Sequence, residues 1–318
     1  YNVYKSQINI GVAVPVGVSH GFVGDTTGLT FIDSNITSDF STTPPIADNP
    51  FSGGNHPSVT GYFEQRQVYA SPDDNPLTFY MSQPGAFNNF NYSHPLQDDD
   101  SIEGTLVSGQ VNAIKSMIAM PGGLIMLTAK GAWQVNGGGA EIAITPINAK
   151  ATPQAFNGAS DLRPLIVNNN ILFAQEKGAT IRDLSYSIYT NIYTGMDISV
   201  LSNHLFYTFT IVDWAYAEEP FKLVHAVRDD GVMLPLCYVK EQEIYGWSHY
   251  DTLGQFKSVA SITEGEVDAT YVLVKRYIQG EWRQMIERFY EREFKYGCED
   301  AFAVDCGVRS TFPEPNAT

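Results

Sequence analysis

The chain has 318 residues, a hydrophobic fraction of 43% and a formal net charge of −16. That length holds one large β domain or two modest ones, with enough apolar residues for a sizeable core. Acidity of this size excludes a protein that grips nucleic acid by its phosphates, because such binding runs on clustered Lys and Arg and on counterion release. A wall past which DNA moves without sticking remains open, as does plain solubility.

Gly, Asn, Ser, Thr and Pro are plentiful, and Tyr and Phe number 18 each, a mixture suited to short strands and tight turns. Tyr1–Lys5 alternates as a strand, and Phe22–Val23 and Gly28–Asp33 read as further short strands. From Asn35 to Gly54 the text turns to Ser, Thr, Pro, Asp, Asn and Gly, with Pro44, Pro45 and Pro50 barring helix. The expected organisation is a first segment over 1–43, a linker over 44–60, a main domain over 61–296 and a C-terminal segment over 297–318.

Within the main domain an alternating strand, a Gly- or Asp-rich turn and another strand recur. VNAIKSMIAM, Pro121-Gly122-Gly123, LIMLTAK, Gly131, AWQVN, GGG and EIAITPI form one unit. KLVHAVR, Asp229-Asp230-Gly231, VMLPLCYVK and EIYGWSHY form another. A third runs FKSVASI, EGEVD, TYVLVKRYI, Gly280 and WRQMIERF. Asp-Gly and Gly-Gly between alternating runs are strong hairpin signals. About five or six units of roughly 45 residues, four strands each, predict propeller blades, although a pair of β-sandwiches would give similar local text. Ile102, Leu106, Ile114 and Ile118 could mark a helical stripe, but Gly104 and Gly109 interrupt it and argue against a helix.

Several stretches carry residue types suited to a site. Asp98, Asp99, Asp100 and Glu103 are the densest carboxylate cluster and the Ca²⁺ candidate, since hard cations take oxygen ligands. Their spacing is not that of an EF-hand, and a solvated loop is the competing reading. SPDDNPLTF, from Ser71 to Phe79, resembles the Asp-box turn of sialidase-like propellers. Asn75 stands where that motif has Gly, and Thr78 falls one place late, so it reads as a turn between strands. Gly158-Ala159-Ser160 has half of a nucleophile elbow and lacks the second Gly. His20, His56, His94, His204, His225 and His249 are scattered without metal-ligand spacing, and His225 reads as a satisfied sheet residue.

Trp133, Trp214, Trp247 and Trp282 fall in separate units, as core positions would; a sugar-stacking platform is the alternative. Arg276, Arg283 and Arg288 with Glu287 and Glu291 make a mixed-charge strand region, either a subunit contact or a solvated face. Cys237, Cys298 and Cys306 are odd in number and form no C-x-x-C pair, so reduced thiols are expected, with a Cys298–Cys306 bridge as the lesser alternative. No apolar run is long enough for a membrane anchor. No leader segment is visible before Tyr1, which reads as the start of a fragment or processed product.

An ordered set of short stretches resembles the nozzle or hub (tail tubular protein B-like) family of short-tailed bacteriophages. It comprises Tyr62–Ala70 (YFEQRQVYA), Asn75–Ser82 (NPLTFYMS), Phe87–Phe90 (FNNF), Asp98–Ile102 (DDDSI), Val111–Ile114 (VNAI) and Leu124–Trp133 (LIMLTAKGAW). Thr145-Pro146, Ile171–Leu184 (ILFAQEKGATIRDL), Asp197–Leu205 (DISVLSNHL), Asp213–Tyr216 (DWAY) and Asp230-Gly231 follow. Gly246-Trp247, Thr252–Phe256 (TLGQF), Val274–Arg276 and Ile286-Glu287 complete it, spread over most of 57–307.

The resemblance implies a non-enzymatic virion structural protein, made in the host bacterial cytoplasm, with no catalytic residues and no cofactor. It implies a ring of copies, a hexamer in that family, bound to other tail proteins (adaptor, fibre or spike, needle), with DNA passing through unbound. The fold expected is all-β: a β-propeller-like main domain after a partial fibronectin-III/immunoglobulin-like segment formed by YNVYK and GLTFIDSNI. Earlier strands of that module, and a region after Asp305–Gly307, are expected to lie in a longer polypeptide. The rival readings are a carbohydrate- or receptor-binding propeller on the virion exterior and, further off, a glycoside hydrolase.

Overall fold

The computed structural model describes residues 1–6, 18–109, 112–139, 142–176, 180–187, 189–190, 192–290, 292, 297–298, 301 and 304–308. The chain divides into two compact units, Tyr1–Asp161 with Ser187–Thr194, and Leu162–Tyr186 with Gly195–Thr318. Both are antiparallel β, as the strand alternation predicts.

In the first unit, β1 (Asn2–Ser6) and β2 (His20–Asp25) pair with a bulge between Val3 and Tyr4. Then β3 (Pro57–Phe63), β4 (Arg66–Pro72), β5 (Thr78–Met81) and β6 (Ile102–Thr105) form one four-stranded sheet in chain order. A second such sheet is β7 (Ile114–Met120), β8 (Gly123–Thr128), β9 (Gly131–Asn136) and β10 (Lys150–Ala155). One face of each supplies a shared core, in which Val68, Met81, Ile102 and Leu106 meet Ile114, Leu124, Met126 and Val135. The period of two is plain in Val68/Ala70 on β4 and Leu124/Met126 on β8. Gly104 lies on β6 because a Cβ there would stand 2.3 Å from the Phe79 ring.

A further sheet is β11 (Leu165–Val167), β12 (Asn170–Ala174), β13 (Ile181–Ser187) and β14 (Ile192–Asp197), in the second unit except for Ser187–Thr194, which takes in the first half of β14 and counts with the first. A one-turn helix, α1 (Asn203–Phe206), precedes β15 (Ile211–Ala217), β16 (Leu223–Arg228), β17 (Met233–Val239) and β18 (Ile244–Trp247). The last sheet has three strands, β19 (Gln255–Glu264), β20 (Val267–Ile278) and β21 (Glu281–Arg288). The β15–β18 sheet is covered on both faces. Val224, Ala226, Leu234 and Leu236 pack with Val167, Leu172 and Ile181. Ala215, Val227 and Met233 pack with Phe256, Val259, Val272 and Val274. Two-sided burial explains the unbroken apolar text of LVHAV and VMLPLCYV.

The hairpin signals lie where strands turn. At the β16–β17 turn Gly231 has φ +93°, and Asp230 accepts from the Val232 amide (3.2 Å) and from Arg228 Nε (3.0 Å). Four expectations need correction. Gly28–Asp33 is not a strand, since Thr26 and Asp33 engage local backbone groups instead, with Gly28 N donating to Thr26 Oγ1 (3.2 Å) and Ile36 N to Asp33 Oδ1 (3.0 Å).

The fourth strand of the second sheet is Lys150–Ala155, not the EIAITPI stretch. There, Ile144 N donates to Glu64 Oε2 (2.7 Å) and Thr145 N to Asn148 Oδ1 (2.7 Å), which spends the amides a strand would need. The 44–56 stretch is held against the β5–β6 connection: Ile46 and Tyr92 exchange backbone hydrogen bonds, and Phe51 packs edge-on against Tyr69, Tyr80 and Phe90. The 57–60 end of the same stretch is already β3. Lastly, Trp133, Trp214 and Trp247 pack on cores, but Trp282 is 53% exposed on β21 beside Tyr277.

Gly158 shows why the half elbow around Ser160 is structural. A Cβ at Gly158 would stand 1.8 Å from the Ala129 carbonyl oxygen, so backbone must pass there at close range. Gly158→Ala should cost roughly 2 kcal/mol or more through forced backbone displacement. Gly109→Ala, where nothing lies within 4 Å, should change stability by less than about 0.5 kcal/mol. Urea denaturation of both variants checks the contrast.

Candidate functional site

Among the described residues of the second unit a cleft of about 410 Å³ opens between the β15–β18 and β19–β21 sheets. The β15–β16 connection supplies Glu219, Pro220 and Phe221, and β16 supplies Leu223 and His225. The β19–β20 hairpin supplies Glu264, Glu266 and Asp268, and the stretch ending β21 supplies Arg288, Phe289, Tyr290 and Arg292.

Strand alternation puts Leu223, His225 and Val227 on the β16 face turned towards β19–β21. His225 is 3% exposed, and its Nδ1 has no hydrogen-bond partner among the described residues. This corrects the reading of His225 as a satisfied sheet residue. Its surroundings are rings: Phe289 stands edge-on at 5.9 Å and Tyr250 lies tilted at 6.2 Å. Burial, helped by the positive charge of Arg292, pulls the imidazole down to about 4, so it is neutral at pH 7.

The walls are pinned by carboxylates. Asp268 Oδ2 accepts from the Glu218 (2.7 Å) and Glu219 (3.3 Å) amides, and its Oδ1 from Thr263 Oγ1 (2.8 Å). Partial burial works to raise the Asp268 pKa, but these hydrogen bonds outweigh it and hold the carboxyl below its ordinary range. Glu264 accepts from Arg288 Nη2 at 2.8 Å and from the Tyr271 hydroxyl, and those bonds lower its pKa, the Tyr271 bond most. Arg292 donates to the Tyr250 hydroxyl and stands 6.0 Å from the Phe221 ring centroid. The side chains of Glu219 and Glu266 have no hydrogen-bond or ion-pair partner among the described residues.

The Ca²⁺ candidate does not assemble. Asp100 is buried and its carboxylate is occupied, with Oδ2 accepting from the Ser93 and Gln97 amides (2.8 Å each) and Oδ1 from Ser93 Oγ (3.2 Å). Asp98, Asp99 and Glu103 are exposed. What organises this loop is Arg66, 2% exposed, which donates to the carbonyls of Ser82 (2.8 Å), Asp100 (2.5 Å) and Asp98 (3.0 Å). The acids therefore contribute backbone oxygens to a cation of the chain itself. Among the described residues no group of three or more His, Cys, Asp or Glu side chains could hold a metal ion.

Other sequence candidates resolve similarly. Ser71–Phe79 is the turn from β4 to β5, closed by Asn75 N donating to Pro72 O (3.2 Å). Arg276 is buried and grips Glu287 through Nε and Nη2, with Nη1 on Asp305 (2.8 Å) and the Leu253 carbonyl (3.1 Å). The mixed-charge strand is thus largely an internal brace; Glu291 lies outside the described residues. The three cysteines form no disulfide. Sequence reading missed one buried network: Asp183 accepts from the Tyr238 hydroxyl (2.9 Å), Lys240 Nζ (2.7 Å) and the Met196 amide (3.2 Å). Burial and the adjacent carboxylate push the Tyr238 phenol up.

No protein-family model and no curated protein sequence matches this chain. Among solved structures it is similar to a luciferin-regenerating enzyme at 10% identity, over 73% of this chain and 88% of that one, with a TM-score of 0.28. A likeness that slight says nothing about activity. No helix among the described residues is long and apolar enough to cross a membrane.

Two outcomes are expected. An exposed imidazole titrates near ~6.5, against about 4 for folded His225. Between these values the unfolded chain takes up a proton that the folded chain refuses, so stability falls as pH drops through that window. The full gap corresponds to about 3 kcal/mol. His225→Leu should remove this component, so the stability difference between wild type and variant should change by about 2–3 kcal/mol from pH 7 to pH 4.5 in urea titrations. In the acidic loop, Arg66→Met strands three carbonyls and should cost about 3 kcal/mol by the same measurement.

Proposed function

We propose that this chain is a structural subunit of a short bacteriophage tail, of the nozzle or hub kind. The observation that supports it best is the coincidence of the ordered motif set with the strands and turns of consecutive antiparallel sheets in both units. YFEQRQVYA spans β3–β4, LIMLTAKGAW spans β8–β9, DWAY lies on β15 and Val274–Arg276 on β20. On this reading the sheets from β3 to β21 are blades of a propeller-like domain, β1 and β2 belong to a partial fibronectin-III-like module, and copies associate in a ring. Radial closure would protect strand edges, which a long β chain must do.

The work is mechanical. Subunit contacts give the ring its shape, and a net charge of −16 keeps phosphates from adhering to its wall. DNA travels along the ring axis, which the other tail proteins extend. Antibodies raised against the chain should label the short tail of particles whose genome encodes it, in negative-stain electron microscopy. The chain itself should not retain duplex DNA at physiological salt. Label confined to exterior fibres would favour a receptor-binding role, and absence of the chain from purified particles would remove the reading altogether.

A further inference from the structure

We propose that the free edge of β21 pairs with the same edge of a second copy of this chain, antiparallel and about a two-fold axis at Met285. The inference goes beyond the tail reading. Neighbours in a cyclic ring meet through two different surfaces, whereas a two-fold pair uses one surface twice. The pair therefore belongs to the free chain, and its failure would leave the tail reading untouched.

Two observations single out this edge. First, β21 holds third place in its sheet but has the exposure of an outermost strand. In the four-stranded sheets the third strand in chain order (β5, β9, β13 or β17) is flanked on both sides and largely buried. Among the described residues β21 pairs with β20 alone, and all of it but Met285 and Glu287 is exposed. At ~3.3 Å per residue its outer backbone groups offer another strand a template about 26 Å long.

Second, this edge exposes large apolar side chains, which edge strands ordinarily avoid. Met285 and Glu287 stand opposite Val274 and Val272, whose side chains enter the core. Alternation then turns Trp282, Gln284, Ile286 and Arg288 to the outer face. Ile286 is 79% exposed opposite Leu273, and Trp282 meets the exposed Tyr277 ring edge-on at 5.4 Å. A strand laid alongside would flank Trp282 and Ile286 with its own side chains and take part of their surface out of water.

The sequence of β21 identifies the occupant. A two-fold normal to the sheet sets each residue opposite one on the same face, so its centre must fall on a residue. With Met285 at the centre, Arg283 meets Glu287, Trp282 meets Arg288 and Gln284 meets Ile286, each twice. The first is an opposite-charge pair and the second sets a guanidinium beside an indole. Arg283 otherwise reaches Glu281 at 3.5 Å, both exposed, and is free to turn across. Glu287 already receives Arg276, and its oxygens have lone pairs left for a second guanidinium. Other centres fit worse. At Gln284 the two-fold sets Glu281 against Glu287, at Arg283 it sets Arg283 against itself, and at Ile286 it loses the Arg283–Glu287 pair.

The test is sedimentation velocity of the chain from micromolar to submillimolar concentration, where a reversible dimer should form. Ile286→Glu, at an exposed position, should leave a monomer with an unchanged circular dichroism spectrum. Arg283→Glu sets like charges opposite in two places and should weaken the dimer about tenfold. In a chain carrying Cys298→Ser and Cys306→Ser, Met285→Cys should give a disulfide-linked dimer on oxidation, since opposed residues bring their Cβ atoms to within about 5.5 Å. Glu281→Cys in the same background should give none, its two copies lying roughly 26 Å apart along the paired strands. A chain that stays monomeric over that range, an assembly unmoved by Ile286→Glu and Arg283→Glu, or cross-linking through Glu281→Cys rather than Met285→Cys would each overturn the assignment.

Discussion

The second unit depends on a sheet that has no solvent side. The β15–β18 strands bury apolar residues on both faces, against β11–β13 on one and β19–β20 on the other. A strand so placed has no face on which to shed polar side chains, and each polar atom it carries must find a partner inside. Trp214 meets this by donating Nε1 to the Arg163 carbonyl at 2.5 Å, and Tyr238 by donating to Asp183 at 2.9 Å. His225, on the same sheet, leaves Nδ1 unmet among the described residues and stands where the two-sheet packing opens into the cleft. Two side-chain polar atoms of this sheet thus stay unmet among the described residues, His225 Nδ1 on β16 and the Tyr216 hydroxyl on β15.

Carboxylates do much of the joining elsewhere. Asp213 Oδ2 accepts from the Val259 amide at 3.0 Å and from the Ser258 hydroxyl, tying β15 to β19. Asp268 ties the β19–β20 hairpin to the β15–β16 connection, Glu64 anchors Ile144, and Asp305 joins Arg276 to the Thr252–Leu253 turn. Backbone amides at bulges and sheet ends lack ladder partners, and a short acid satisfies two of them with one side chain. Much of the negative charge therefore works as internal fastening. That is why dense acids in the sequence did not translate into a metal centre: at Asp98–Asp100 the useful oxygens are carbonyls, and the cation is Arg66.

Strands bounded by Gly or Asp-Gly turns were legible, because alternation and turn chemistry are both local. LVHAVR–DDG–VMLPLCYV became β16–β17, and FKSVASI–EGEVD–TYVLVKRYI became β19–β20. Where a strand-like run met a distant polar partner, local text misled. EIAITPI has fair alternation, but Glu64, eighty residues earlier, captures the Ile144 amide. The cleft was illegible for the same reason at larger scale. Its residues come from three stretches, Ala217–His225, Glu264–Thr270 and Arg288–Arg292, which only sheet packing brings together. His225 looked like an ordinary strand residue since its neighbours in sequence are all apolar; its lack of a partner is a property of the packed sheets.

The same packing logic bears on whether a mechanical subunit has reason to carry such a cleft. Filling the His225 position with an aliphatic side chain would remove both an unmet polar atom and the acid sensitivity that follows from a depressed imidazole pKa. A chain whose only requirement were rigidity would gain from that change. The cleft residues also carry costs of their own: Glu219 and Glu266 add unpaired negative charge, and Phe221 exposes an aromatic face in the same concavity. Together they mark the cleft as the part of the second unit where the sequence departs furthest from what packing alone would favour.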